Sequence, residues 1–99
     1  MKVDRDVMES SLRSKGFAED RRRDHIYFHH HYRGKKTGAY TKVSHTAKMK
    51  EVSGDLLTQV RKQLRLDSTK EAVDLLTCPM DAEEYNSLLI GKGVFRLDS

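Results

Sequence analysis

The sequence predicts an α+β fold: an α-β-β-β-α module with a three-stranded antiparallel sheet packed on two helices, followed by a C-terminal helical extension. Three observations predict it. Apolar residues recur at helical spacing near the start of the chain and again after Ser53. Between these stretches, residues 25–32 and 38–45 alternate as strands do, and a Gly-containing loop joins them. Charge then divides the chain. Residues 1–66 carry 16 Lys and Arg against 8 Asp and Glu, a net of +8; residues 67–99 carry 3 against 7, a net of −4; the sum is the +4 of the whole chain. The expected organisation is therefore a basic α+β module over 1–66 and an acidic helical extension over 67–99, packed on the module or at a dimer interface.

Each element has its own signals. Val3, Val7, Met8 and Leu12 form an amphipathic stripe, Asp4, Asp6 and Glu9 favour the start of a helix, and Gly16 stops it, which predicts a helix over 4–15. "FAEDRR", residues 17–22, suggests a short polar strand. In "HIYFHHHY", Ile26 and Phe28 share a face continued by His30 and Tyr32, while His25, Tyr27, His29 and His31 share the other. "RGKKTG" reads as a loop around Gly34. In "GAYTKVSH", Ala39, Thr41 and Val43 face one way and Tyr40 and Lys42 the other. Residues 44–52 read as a lysine-containing loop. Ser53 is the expected N-cap of a helix over 54–65, with Leu56, Leu57, Val60 and Leu64 on its apolar side. Ser68 with Glu71 starts a third helix that Pro79 ends. Asp81 with Glu84 starts a fourth, bearing Tyr85, Leu88 and Leu89 and stopped by Gly91 and Gly93.

Composition bounds the function. A chain of 99 residues suits one small domain with a modest core. Cys78 is the lone cysteine, so no internal disulfide forms, and the chain suits a reducing cytosol. No apolar run approaches the length of a membrane span, and "MKVDRDVMESS" has no apolar core of a secretory signal. The expected location is cytoplasmic.

The chemistry concentrates in residues 21–50. Arg21, Arg22 and Arg23 precede the histidine-rich strand, Arg33, Lys35 and Lys36 follow it, and Lys42, Lys48 and Lys50 lie beyond. Tyr27, Tyr32 and Tyr40 are interleaved and offer stacking faces for unpaired bases. This pattern points to contact with nucleic acid; the plain alternative is a solvated basic face. His29 and His31, about 7 Å apart by strand rise, could share a Zn²⁺ with His25 or His45. No cysteine or carboxylate stands at ligand spacing beside them, so no metal and no cofactor is expected. Cys78 lacks the setting of a nucleophile, and Gly34, Gly38 and Gly54 lack phosphate-loop spacing.

One resemblance adds to this reading. In order, "KGF", a short strand, "DHIYF", a basic Gly loop, "KVSH" and "GDLLTQVRKQLRL" are similar to the motifs of HicA-type toxins, small messenger-RNA interferases with a double-stranded-RNA-binding-domain-like fold. The likeness covers residues 4–66. By position, His25 matches the family's catalytic histidine and His45 its second motif histidine. Arg23-Asp24 stand where the family has Gly-Ser, and Val43-Ser44-His45 runs without the family's proline.

The resemblance implies an RNA-binding toxin that cleaves messenger RNA without a metal. His25 would be its general acid or base, assisted by His45, Tyr27 or Lys42. The nine Arg and Lys residues named above would hold RNA. Partners would be single-stranded or messenger RNA, an acidic antitoxin, and a second copy of the chain. Two other readings compete: a non-catalytic nucleic-acid-binding module, and an interaction protein whose basic face docks an acidic partner.

Overall fold

The computed structural model describes residues 2–22, 24–44 and 50–95. In chain order the elements are β1 (Lys2–Asp4), α1 (Arg5–Ser14), β2 (Phe17–Asp20), β3 (His25–Tyr32), β4 (Lys35–Ser44), β5 (Glu51–Ser53), α2 (Gly54–Gln63), α3 (Thr69–Leu76) and α4 (Ala82–Gly91). Strands β2, β3 and β4 form an antiparallel sheet in that order, and β1 pairs with β5 in a separate two-stranded sheet. The α+β arrangement is the one the sequence predicts.

Local chemistry explains the boundaries. Asp4 caps α1, its Oδ1 accepting from the N–H groups of Asp6 at 2.8 Å and Val7 at 3.2 Å. Gly16 then turns the chain with φ +93°. Strand β2 stops at Asp20 and does not reach residue 22, because Asp20 Oδ1 accepts from the Arg22 N–H at 3.0 Å and folds the backbone on itself. The loop expected over 33–38 is tighter. Arg33 and Gly34, both with positive φ, make a two-residue turn, and Lys35 pairs with Tyr32. Helix α2 ends in a Schellman motif, with Leu66 N–H donating to Arg61 O and Arg65 N–H to Lys62 O. Arg65 occupies the left-handed position with φ +64°, where glycine is usual.

Three local expectations are corrected. Val3 does not extend the stripe of α1; it lies in β1, buried against its register partner Val52 in β5. Val7 is 44% exposed, because Met8 and Leu12 form the packed side of α1. Ser53 stands at the N-cap of α2 but makes no side-chain cap hydrogen bond, since its extended backbone is already paired with Lys2 in the small sheet.

A shared cluster of buried side chains holds these elements together. Ile26, Phe28, Ala39 and Val43 on the inner sheet face meet Met8 and Leu12 of α1 and Leu57 and Val60 of α2. Ala72, Leu75 and Leu76 of α3 and Tyr85 and Leu89 of α4 belong to the same cluster. Specific polar contacts fix α3 and α4 in place. The Lys15 ammonium, buried at the C-terminal end of α3, donates to Leu75 O at 2.7 Å and Thr77 O at 2.9 Å, which satisfies carbonyls the helix leaves open. Burial pushes the Lys15 ammonium below its ordinary pKa. The buried Tyr85 hydroxyl donates to Leu64 O at 2.7 Å, which joins α4 to the end of α2. Burial raises that hydroxyl's pKa well above the ordinary value, so it remains a donor.

Candidate nucleic-acid interface

The outer face of the sheet is built by pairing. Across the three strands, Asp20, Tyr27 and Lys42 are register partners, as are Ala18, His29 and Tyr40; His25 is opposite Ser44. Alternation sends these side chains away from Ile26 and Phe28, so helices cover one face and rings collect on the other. The ring centroids of Tyr27 and His29 lie 5.8 Å apart with planes within 7°, and Tyr40 stacks on both, at 6.4 Å from Tyr27 and 6.1 Å from His29. The Lys42 ammonium lies 5.8 Å from the Tyr27 ring centroid. All four residues are half-buried. The arrangement is a short platform of stacked rings with a cation at its side.

The expected cations are distributed unequally around it. Arg33, Lys35 and Lys36 are exposed at the β3–β4 turn, where the Arg33 guanidinium lies 5.2 Å from the Tyr32 ring. Lys50 is exposed before β5. Arg22 pairs with Asp20 at 3.2 Å and remains 90% exposed. Arg21 differs: it pairs with Glu19 and, at 3.0 Å, with the buried Glu9, which also binds Arg5 at 2.9 Å and Arg13 at 3.0 Å. This network ties α1 to β2. The hydrogen bond to Glu19 holds the Arg21 pKa above its ordinary value. Burial alone would raise the Glu19 carboxyl, but hydrogen bonds from Arg13 and Arg21 outweigh it and lower the pKa. Arg23, Lys48 and His45 lie outside the described residues.

His25 stands at the entrance of β3, with 38% of its side chain exposed. Among the described residues its buried Nδ1 atom finds no hydrogen-bond partner, with Asp24 Oδ2 3.4 Å away. The ring lines a small cavity of about 120 Å³ with Lys42, Ser44, Gln59 and Gln63. The buried Thr41 hydroxyl donates to Gln63 Oε1 at 2.8 Å, which holds the Gln63 amide beside the cavity. The structure thus brings His25, Lys42 and Tyr27 to one region of the sheet. Gln59 and Gln63 were not singled out in the sequence; their i,i+4 spacing off the apolar side of α2 was the available signal.

The third histidine of the strand, His30, belongs to the core. Its Nε2–H donates to Asn86 Oδ1 at 2.9 Å and its Nδ1 accepts from the Thr37 hydroxyl at 2.8 Å. Phe17 and Tyr85 each lie 5.0 Å from its ring. Burial lowers its pKa, against the opposing hydrogen bond to Asn86. Among the described residues, no three His, Cys, Asp or Glu side chains are placed to hold a metal ion. His31 Nδ1–H donates to His29 O at 2.9 Å, and the β3–β4 register shifts between these two residues. No described helix is long and apolar enough to cross a membrane. No protein-family model, curated protein or solved structure matches the chain.

Proposed function

We propose that this chain is a HicA-like RNA-binding protein whose outer sheet face takes single-stranded RNA. The observation that carries the reading is the Tyr27–His29–Tyr40 platform beside Lys42. Bases of any identity can stack on such rings, and exposed cations at the hairpin tip can follow the phosphates. The succession α1, β2, β3, β4, α2, with β1 and β5 paired aside in their own small sheet, also supports the likeness that the sequence motifs suggest. On this reading the protein works in the cytosol, opposite an acidic antitoxin.

The test is anisotropy with labelled single-stranded RNA in EDTA at several salt concentrations. Replacing Tyr27 and Tyr40 by Ala should weaken binding by about 1–3 kcal/mol per stacked base. Replacing Lys35, Lys36 and Lys42 by Ala should flatten the salt dependence by roughly 0.7 for each phosphate that is no longer neutralised. Unchanged affinity in the tyrosine variants would remove the platform from the interface.

A second reading, cleavage, is favoured by the cavity that His25 shares with Lys42 and Ser44. His25 would take the proton of a ribose 2′-OH as that oxygen attacks the adjacent phosphorus. The bond to the 5′-oxygen breaks, and the leaving oxygen takes a proton from His45 or solvent. Lys42 would offset the developing phosphate charge. The products would be a 2′,3′-cyclic phosphate and a 5′-hydroxyl, formed in EDTA. His25→Ala should abolish cleavage and leave RNA affinity and thermal stability nearly unchanged. Full cleavage by that variant would exclude His25 as the acid or base.

A further inference from the structure

We propose that the groove between α3 and α4 docks a basic amphipathic helix from a partner protein. The groove has a volume of about 850 Å³. Met80 and Leu88 give it an apolar lining. Asp67, Glu71 and Asp74 approach from the α3 side and Glu83 and Glu84 from α4, with Lys92 the single cation among the lining residues. Five carboxylates against one ammonium leave a net lining charge of −4. Lys92 pairs with Asp67, and Lys70 with Asp74 at 2.9 Å. Among the described residues, Glu83 and Glu84 enter no ion pair and are exposed.

The chemistry of the groove selects among occupants. The carboxylates are spread along it, and no three of them converge on a metal position. A small polycation would leave the apolar lining unused. RNA would meet repulsion from every side but one. Cations flanking an apolar stripe satisfy both the rim and the lining, which is the pattern of a basic amphipathic helix laid in a groove. A second copy of this chain offers no such helix among the described residues. The packed sides of α1, α2, α3 and α4 all enter the chain's own core. Helix α4, with 10 residues, is about 15 Å long, so a ligand of about three turns would span it.

The experiment uses the full chain and two labelled synthetic peptides of about three turns. Both have the same Lys and Leu content, one with Leu at i, i+3, i+4, i+7 and one scrambled. Anisotropy at physiological salt should show saturable one-to-one binding of the patterned peptide, and binding of the scrambled peptide weaker by at least about tenfold. Glu83→Lys with Glu84→Lys should weaken the patterned peptide by at least about tenfold, and Leu88→Ala several-fold. If the charge reversal unfolds α4 by circular dichroism, Glu83→Gln with Glu84→Gln carries the same comparison, with a smaller loss. The proposal is overturned if the two peptides bind equally, if neither binds, or if these substitutions leave binding unchanged. It is also overturned if the wild-type chain self-associates and these substitutions abolish it, since the occupant is then a second copy.

Discussion

The two faces of β3 use the same residue type for opposite purposes. On the inner face, His30 is buried, held by Thr37 and Asn86 and packed between Phe17 and Tyr85. On the outer face, one residue away, His29 is half-buried and stacks parallel to Tyr27. The inner ring has both nitrogens matched, so its polarity is satisfied within the fold. The outer rings stack on one another, with the Lys42 ammonium beside Tyr27. Histidine is therefore a structural residue or a candidate contact here according to which side of the sheet the helices cover.

Three perturbations break or sharpen that contrast. The largest is removal of the inner cover. Truncation after Leu66 deletes Asn86, Tyr85, Leu75, Leu76 and Leu89, each of the apolar ones worth roughly 1.5–3 kcal/mol of burial. Together they are worth roughly 6–12 kcal/mol, comparable with the roughly 5–15 kcal/mol total stability of a small domain, so the truncated chain should lose its cooperative thermal transition. A sharp transition at the full-length temperature would mean that the inner face does not depend on α3 and α4.

Next comes the comparison of neighbours. His30→Ala leaves a cavity and strips Thr37 and Asn86 of a partner, which should cost about 3 kcal/mol in urea unfolding. His29→Ala should cost less than about 1 kcal/mol, because its ring is stacked on the open side. Equal losses would mean that the outer platform is as much a part of the core as the inner ring.

The smallest effect is on pH dependence. The His30 pKa is lower in the folded chain than its ordinary value of 6.5, so the unfolded chain binds the proton more readily. The stability this residue contributes is complete above about pH 6.5, falls as pH drops through the folded pKa, and is then constant. A His30→Gln variant should lose that part of the acid slope. An unchanged slope would assign it to carboxylates, such as Glu19.

What the sequence by itself determined is local. Asp4, Ser68 and Asp81 act as caps, each with its side chain accepting from a nearby N–H, and these signals span only two or three residues. Alternation in residues 25–32 sorted His30 from Tyr27 and His29, because a period of two leaves each side chain one of two faces. The shared face of the rings in the candidate site was legible for the same reason. Tertiary structure alone decided the rest. Strands of three residues are too short to show alternation, so β1 and β5 exist only because the fold brings Val3 to Val52. Arg21 pairs with Glu9, twelve residues away, as well as with Glu19, and no local pattern announces the first of these. His30 found Asn86 across 56 residues, and Gln63 joined His25 through a cavity at the end of the sheet. Periodicity states which way a side chain points, but a partner distant in sequence is set by packing of the whole chain.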